Sequence, residues 1–174
     1  MTWGNLLQPD LWLNKTTTHL TPKLLNDAGL KGLVLDVDET LVPRTIKQLS
    51  DEIVPWFQSI QAVTPQIWLV SNNPSIPRIQ RIAEVLNVPY IARAGKPSRT
   101  QLRRAIESME LPPEQVGMVG DRLFTDVLAG NRLGMYTILV EPMRHPKKQG
   151  GSLVHRAEFW LSRALGAKLD PHQS

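Results

Sequence analysis

The stretch Leu33-Val34-Leu35-Asp36-Val37-Asp38-Glu39-Thr40-Leu41-Val42 decides the fold of this chain. It begins as a short apolar run, which is typical of a strand that is buried on both faces of a parallel sheet. Ligands of such sheets gather at the carboxyl ends of the strands. The run ends at Asp36 and Asp38, and a carboxylate beside apolar packing is strongly disfavoured unless it has a partner. The stretch therefore predicts a buried strand followed by a candidate catalytic centre.

Strands and helices alternate on both sides of this stretch. Apolar runs predict strands at Leu33–Val37, Gln66–Val70, Tyr90–Ala92, Val116–Val119 and Tyr136–Val140. Helical spacing, caps and breakers predict helices at Lys23–Ala28, Ser50–Ala62, Ile76–Leu86, Arg99–Met109 and Asp126–Leu133. This alternation predicts an α/β fold, a three-layer α/β sandwich with a mostly parallel, Rossmann-like sheet. The short connections between the polar strand ends suit a core without a large cap domain.

The 174 residues are expected to form one domain, which can bury roughly two thirds of its unfolded surface. We place its core at about residues 20–142. The segment 1–20 and a C-terminal amphipathic helix over residues 150–168 are expected to be appendages. A content of 41% hydrophobic and 21% charged residues is ordinary for a globular domain.

The residue types that bind metals narrow the chemistry. The chain has no cysteine, which excludes disulfides, Cys-ligated zinc and thiol nucleophiles. Its four histidines are scattered and form no H-x-x-x-H pair. A bound metal is therefore expected to be hard and oxygen-liganded, with Mg²⁺ the leading candidate.

Charge and hydropathy indicate where the protein acts. The N-terminus lacks the basic and apolar regions of a secretory signal, and no apolar run approaches the ~18 residues that span a bilayer. We expect the protein in the cytoplasm or peripherally on the cytoplasmic face of a membrane. The net charge of +4 and a pI near 9.6 favour anionic partners such as phosphorylated metabolites, anionic lipid or nucleic acid.

Four polar clusters lie at or just past the predicted strand ends. They are Asp36-x-Asp38-x-Thr40, Ser71-Asn72, Gly95-Lys96-Pro97 and Gly120-Asp121-x-x-x-x-Asp126. In their order and spacing they resemble the four motifs of the haloacid dehalogenase (HAD) superfamily of phosphohydrolases. One D-x-D pair alone carries little information, whereas four clusters in register at strand ends are specific.

The resemblance implies a two-step phosphate hydrolysis. Uncatalysed hydrolysis of phosphate monoesters is extremely slow, and a carboxylate nucleophile divides it into two easier steps. By resemblance Asp36 is this nucleophile. Asp38 would be the general acid that protonates the leaving alcohol, and then the base that activates water.

The resemblance also implies a magnesium site. Like charges at ~4 Å repel by about 4 kcal/mol at an effective dielectric of ~20, so crowded carboxylates require a divalent cation. The implied ligands are the Asp36 carboxylate, the Asp38 backbone carbonyl and Asp121, with Asp126 as a ligand or a supporting neighbour. Asp126 can also be the cap of the helix predicted to begin there.

The phosphoryl group would be held by a separate set of residues. Ser71, the amides that follow it at Asn72, and Lys96 would bind its oxygens and stabilise charge in the transition state. Thr40 belongs with this set because it would orient the loop after the first strand. Taken singly, Asp38 and Thr40 are also common turn or capping residues, and a lysine before a proline is usually a solvated loop residue.

A narrower resemblance concerns the YqeG-like, uncapped branch (subfamily III) of the superfamily, which includes phosphatidylglycerophosphate phosphatases. It covers about Leu6 to Pro142. The segments that carry it are Leu6–Asp10, Leu20-Thr21-Pro22, Leu30-Lys31-Gly32, Asp121–Val127 and Gly130–Gly134. It implies phosphatidylglycerophosphate as the leading substrate. Glu39, where many relatives carry an amide, departs from the pattern and adds negative charge beside the site.

Two features are compatible with a lipid substrate. The C-terminal helix has one apolar stripe, made of Leu153, Val154, Ala157, Trp160, Leu161, Ala164 and Leu165, while Phe159 lies with Arg156 and Arg163 on another side. An exposed aromatic residue beside arginine suits an anionic membrane interface, as do Trp3 and Trp12 near the N-terminus. The simpler expectation is that both stripes pack onto the sheet.

Other activities remain open from the sequence. Candidates are a phosphatase of small soluble monoesters such as sugar phosphates or nucleotides, and one acting on phosphoproteins or nucleic-acid ends, although we expect no nucleic-acid partner. A phospho-accepting receiver module is disfavoured, because its acidic pair and acceptor aspartate stand in a different order. The basic residues that could hold a second phosphate are Arg44, Arg93, Arg122, Arg144, Lys147 and Lys148. The sequence does not fix the oligomeric state.

Overall fold

A computed structural model of the chain describes residues 3–46, 48–143 and 153–168. These residues contain six strands: β1 Leu11–Trp12, β2 Gly32–Leu35, β3 Gln66–Val70, β4 Tyr90–Ile91, β5 Val116–Gly120 and β6 Tyr136–Leu139. They form one sheet in the order β1-β6-β5-β2-β3-β4, and every neighbouring pair is parallel. The predicted α/β class and parallel sheet are confirmed.

Helices connect and flank these strands. They are α1 Trp3–Leu6, α2 Pro22–Asp27, α3 Ile53–Gln61, α4 Ile76–Leu86, α5 Thr100–Met109, α6 Leu128–Asn131 and α7 Leu153–Ala164. A π-helical turn, Leu123–Val127, leads into α6, so this helical segment begins before the predicted start at Asp126. Helix α2 begins at Pro22, one residue before the predicted Lys23, because the Thr21 side chain accepts a hydrogen bond from the Leu24 amide and proline is favoured at the first helical position.

The two faces of the sheet are covered by different helices, which gives the three layers. Leu33 and Leu35 of β2 pack with the apolar side chains of α2, α3 and α4. Val34 points to the other face and packs with α5. Because successive side chains of a strand point to opposite faces, a strand covered on both faces has to be apolar throughout. All four residues of β2 are buried.

The strand order changes direction at the centre of the sheet. From β2 the chain adds β3 and β4 on one side, then returns to place β5 and β6 on the other side. The connection that returns opens a crevice at the carboxyl ends of β2 and β5, which is where open α/β sheets bind their ligands. Asp36 and Asp121, the residues that directly follow these two strands, lie at this crevice.

The N-terminal segment contributes to the sheet. Residues 1–20 are predicted to be an appendage without a strand, yet β1 pairs with β6 at the lateral edge of the sheet. A two-residue strand is too short to show a periodic pattern. Side chains secure this edge: Asp10 accepts hydrogen bonds from the Thr137 amide (2.7 Å) and hydroxyl (2.9 Å), and the Asn131 amide donates to the Leu6 and Gln8 carbonyls.

Helix α7 lies against the protein with the opposite orientation to the one expected. Phe159 packs on Trp12 with ring centroids 5.3 Å apart, so it is not an exposed aromatic residue. The apolar stripe instead faces outward, with Trp160 72% exposed and Leu161 43% exposed. The expectation that the stripe of the C-terminal helix packs onto the sheet is therefore wrong, whereas Trp12 and its neighbours Leu11 and Leu13 in the N-terminal segment do pack. Of the other stripe members, the side chains of Leu153 and Val154 lie outside the described residues.

We predict that Asn131→Ala destabilises the lateral edge of the sheet, where the N-terminal strand β1 pairs with β6. The substitution removes the amide that donates to Leu6 (2.9 Å) and Gln8 (2.8 Å) and the oxygen that lies 3.0 Å from the Thr137 hydroxyl. The free energy of unfolding should fall by roughly 2 kcal/mol in urea titrations, because part-buried carbonyls lose their donor. Asn26→Ala on the exposed side of α2 is the matched control, and equal losses in both variants would contradict this assignment.

Candidate active site

Polar residues from four strand ends line one open pocket at the carboxyl edge of the sheet. The pocket has a volume of about 220 Å³. Its lining consists of Asp36, Asp38, Arg44, Ser71, Asn72, Asn73, Pro74, Lys96 and Arg122. The first three predicted clusters are thus brought together around one space, and the fourth lies directly beneath it.

Lys96 occupies the centre of the site. Its ammonium group lies 2.7 Å from Asp36 Oδ1 and 2.7 Å from Asp126 Oδ1, and the lysine is 5% exposed. Burial alone would lower the pKa of Lys96, but the two carboxylates outweigh burial and raise it above its ordinary value. Lys96 is therefore a buried, fully charged cation and not the solvated loop residue that a lysine before proline usually is.

Asp36, Asp121 and Asp126 form a cluster of buried carboxylates. One oxygen of each lies within 4.8 Å of the others. Burial raises the pKa of Asp36 to about 7; Lys96 lowers it, and the neighbouring charges of Asp126 and Asp121 raise it further. A carboxyl group with this pKa is protonated in about half of the molecules near neutral pH, and additional positive charge would favour its ionised form.

The loop around this cluster keeps the carboxylates close. Thr40 Oγ1 donates to Asp121 Oδ1 (3.3 Å), and the Thr40 carbonyl accepts from Thr17 (2.8 Å). A Cβ on Gly120 would lie 2.4 Å from the Asp126 carboxylate, so glycine is required for that side chain to reach the site. Thr40 is fully buried below the pocket and bonded to Asp121, which places it beside the acidic cluster and outside the pocket lining.

Asp126 is not the cap of its helix. It lies within the π-helical turn, and its Oδ2 accepts from the Arg122 backbone amide at the beginning of that turn (3.2 Å). Its other oxygen contacts Lys96. One carboxylate therefore satisfies a free amide at the helix start and faces the site at the same time.

The donor set fits a hard divalent cation. Three carboxylates against one ammonium leave two negative charges in a buried space when all four groups are ionised. Oxygen ligands of this kind are those that Mg²⁺ prefers. Within the described part of the chain this is the one cluster of acidic, histidine or cysteine side chains with suitable spacing.

Asp38 is held on the other side of the pocket by two residues that sequence reasoning missed. Arg78 donates to Asp38 Oδ1 (2.5 Å), and the Asn73 side-chain amide donates to Oδ2 (2.6 Å). Arg78 also donates to the carbonyls of Pro43 (3.3 Å) and Ile46 (3.0 Å). Arg78 could have been found from its place in the first turn of α4, since that helix begins near the carboxyl ends of the strands, where the motifs also lie.

Ser71 and Asn72 shape the loop after β3. Ser71 is buried, and its hydroxyl accepts from the Asn73 amide (3.1 Å). The side chain of Asn72 binds the Lys96 backbone twice, accepting from its amide (2.7 Å) and donating to its carbonyl (2.9 Å). Asn72 thus fixes the lysine loop, while Ser71 faces the pocket.

The basic residues predicted to hold a second phosphate differ in their positions. Arg44 and Arg122 line the pocket, whereas Arg93 is exposed and donates to the Pro74 carbonyl (3.0 Å). Arg144, Lys147 and Lys148 lie outside the described residues. Glu39, the departure noted in the sequence, is half-buried with a left-handed φ of 64°, and it belongs neither to the acidic cluster nor to the pocket lining.

Comparison with known proteins agrees with this arrangement. The pattern of a family described as HAD-hydrolase-like matches residues 93–161. The probable phosphatase YqeG of Bacillus subtilis is 37% identical over 129 residues, which cover 74% of this chain and 74% of that protein. The chain belongs to the HAD superfamily. It is a HAD phosphatase, a hydrolase of phosphoric monoesters.

More distant relatives agree with this assignment. Phosphatidylglycerophosphate phosphatase 1 from the chloroplast of Chlamydomonas reinhardtii is 28% identical over 155 residues, which cover 83% of this chain and 58% of that protein. This HAD chain therefore spans little more than half of the algal relative. The solved structure of NagD from Escherichia coli K-12 has a TM-score of 0.55 at 14% identity, covering 82% of this chain and 94% of that chain. Such a likeness shows the shared fold.

We predict that Asp36 makes the stability of this HAD protein depend on pH when a chelator is present. Its pKa is 3.8 ordinarily and about 7 in the folded protein, so the folded state holds the proton more tightly. This stabilisation is complete below pH 3.8 and is lost as the pH rises through about 7. Urea titrations should show a loss on the order of 4 kcal/mol from this group.

Asp36→Asn supplies the comparison, because an amide has no proton to lose. The difference in unfolding free energy between the two proteins should change over the interval from pH 3.8 to about 7 and stay level above it. A difference that is the same at every pH would show that Asp36 titrates as an ordinary surface carboxylate.

Proposed function

We propose that this protein is a Mg²⁺-dependent phosphatase that forms an aspartyl-phosphate on Asp36 and hydrolyses phosphatidylglycerophosphate to phosphatidylglycerol. The observation that carries the reaction is the convergence of Asp36, Asp38, Ser71 and Lys96 on one pocket. A nucleophile, a proton donor, and two groups able to hold phosphoryl oxygens are the parts that such a reaction needs.

The residues divide the reaction into two displacements. In the first, a carboxylate oxygen of Asp36 attacks phosphorus, the bond from phosphorus to the alcohol oxygen breaks, and Asp38 gives its proton to that oxygen. In the second, Asp38 takes a proton from water, the water oxygen attacks phosphorus, and the bond to Asp36 breaks. Lys96 and Ser71 hold the phosphoryl oxygens, which carry most of the charge in the transition state.

Asp36, Asp121 and Asp126 would hold the magnesium ion. When bound, the ion neutralises the carboxylates and the incoming phosphate, as a hard cation does in phosphoryl transfer. The three buried carboxylates, which lie within 4.8 Å of one another beside the single ammonium group of Lys96, support this assignment. Thr40 fixes Asp121, and the Asn72 side chain fixes the loop that carries Lys96.

Three observations support a lipid substrate. The pocket is open, so a phosphate on a membrane lipid can enter it. Arg44 and Arg122 line its rim, where they can bind the diester phosphate that accompanies the monoester in phosphatidylglycerophosphate. Distant relatives from an alga and from Arabidopsis thaliana carry the name of this activity. The protein would then work peripherally on the cytoplasmic face of a membrane.

A substrate panel with Asp36→Asn tests the proposal. Phosphate release is measured with Mg²⁺ from phosphatidylglycerophosphate in vesicles, p-nitrophenyl phosphate, a sugar phosphate, a nucleotide and a phosphopeptide. We expect the highest kcat/KM for the lipid and loss of every activity in EDTA. Asp36→Asn should lose at least ~10³-fold in kcat, because its amide is nearly isosteric but a poor nucleophile.

The controls separate the parts of the proposal. Asp51→Asn, which changes an exposed carboxylate away from the pocket, should keep full activity. If the lipid is no better a substrate than p-nitrophenyl phosphate, the lipid assignment fails while the phosphatase assignment stands. If Asp36→Asn turns over like the wild type, the nucleophile is wrongly assigned.

Arg78 is proposed as a positioning residue for Asp38. Its contact at 2.5 Å, together with that of Asn73, fixes both oxygens of the group that would transfer protons. Arg78→Ala should lower kcat roughly tenfold to a hundredfold with a smaller change in KM, since general acid–base catalysis contributes 10²–10⁴-fold. Arg78→Lys should recover part of kcat.

The neighbouring arginine provides the control for this prediction. Arg81 is exposed on the same helix, α4, and Arg81→Ala should leave both kinetic constants unchanged. A rise in KM with unchanged kcat in Arg78→Ala would place Arg78 in substrate binding and would refute the positioning role.

A further inference from the structure

Helix α7 is attached to the protein through a side that carries two buried polar residues beside Phe159. Glu158 and Ser162, which are 8% and 0% exposed, face inward. Glu158 accepts two hydrogen bonds from the Arg122 guanidinium, one of them from Nε at 3.0 Å. The opposite side carries the apolar residues Ala157, Trp160, Leu161, Ala164 and Leu165, and all five are exposed. A surface helix normally has the reverse arrangement, with its apolar side toward the core.

The N-terminal helix α1 lies against the residues that directly follow α7. Gly4 of α1 packs so closely on the end of α7 that a Cβ there would lie 2.6 Å from the Gly166 carbonyl oxygen. The residue before it, Trp3, is 59% exposed. We call Trp3, Trp160, Leu161, Ala164 and Leu165 the outer face. Two exposed tryptophans and two exposed leucines on adjoining helices provide apolar surface of the kind that marks an interaction site.

The exposed charges that α7 and the residues after it carry, within residues 157–168, have one sign. Among residues 157–168, the exposed charged side chains are Arg163 and Lys168. The acidic residue of this segment, Glu158, is buried and paired with Arg122. An apolar strip with tryptophan and a cationic border matches the interface of an anionic bilayer, where tryptophan places its ring at the level of the headgroups.

Other occupants fit less well. A stable contact between two proteins uses roughly 20–30 residues on each side, whereas the outer face supplies five apolar side chains. The neighbouring sequence segment 144–152 contains no Leu, Ile, Val, Met, Phe, Tyr or Trp, and the segment 169–174 contains one such residue, Leu169, which is too little to cover the outer face. No helix in the described part of the chain is long and apolar enough to span a membrane, so contact with lipid through α7 would be peripheral.

We propose that the outer face docks this protein on anionic lipid bilayers. This inference rests on the proposed function, because the outer face would bring the active site to a lipid substrate. Glu158 on the inner side of α7 binds Arg122, which lines the active-site pocket. The docking surface is thus about one helix diameter, 10–12 Å, from an active-site arginine.

Vesicle co-sedimentation tests the docking surface. Full-length wild type, Trp160→Gln/Leu161→Gln and Val85→Gln are mixed with vesicles of phosphatidylcholine alone or with added phosphatidylglycerol. Val85 is the matched control, because it is an apolar side chain that is 58% exposed on α4. Wild type and Val85→Gln should bind the anionic vesicles, and the double variant should bind at least roughly tenfold more weakly. Added salt should weaken the binding.

A second readout separates docking from catalysis. For each variant, the hydrolysis rate on lipid in vesicles is divided by its rate on p-nitrophenyl phosphate, and this ratio should fall in the double variant. Failure of all lipid hydrolysis with intact vesicle binding would overturn the proposed substrate and leave the docking surface standing. Equal vesicle binding by all three proteins would overturn the docking surface. So would a wild-type protein that binds no vesicles and instead forms a dimer that the double variant disrupts.

Discussion

The ammonium group of Lys96 is the interaction on which the site depends. It lies 2.7 Å from two carboxylates that belong to elements ninety residues apart in the sequence, and it is almost completely buried. Without it, Asp36, Asp121 and Asp126 would place three negative charges in a space that water barely reaches, at a cost of several kcal/mol for each repelling pair. Lys96 lowers this cost without cancelling it. Burial and the remaining negative charge raise the pKa of Asp36, and this charge would favour the binding of a further cation.

The parallel sheet explains why these groups meet at all. Each strand of such a sheet begins at one edge and ends at the other, so residues that follow different strands are brought to the same edge regardless of their distance in sequence. The change of direction between β2 and β5 leaves a crevice there. The helices then add what the strands cannot, since the turn Leu123–Val127 returns Asp126 toward the site and the first turn of α4 brings Arg78 to Asp38.

Much of this arrangement could be predicted from the sequence, and the successes share a cause. β3 and α4 were predicted to the residue because their hydrophobic patterns are long and bounded by breakers. The positions of Asp36, Ser71 and Lys96 around one pocket followed from their places after strands. Arg78 and Asn73 were missed because their role depends on the angle between a helix and a loop, which no local pattern encodes. The two-residue strand β1 was missed because pairing with β6 alone defines it.

The orientation of α7 shows a second limit of pattern analysis. A hydrophobic stripe indicates that one side of a helix avoids water, but it does not indicate whether protein or lipid covers that side. The pairing of Glu158 with Arg122 settles the orientation, because a carboxylate that binds the active-site arginine has to face inward and thereby turns Trp160 outward. The same arginine follows Asp121 in the chain and lines the pocket. The ion pair between Glu158 and Arg122 therefore determines where the outer face lies relative to the pocket. A surface that binds a bilayer near an open phosphatase pocket would hold lipid phosphates within reach of Asp36, and this proximity would raise their effective concentration without any new contact in the pocket.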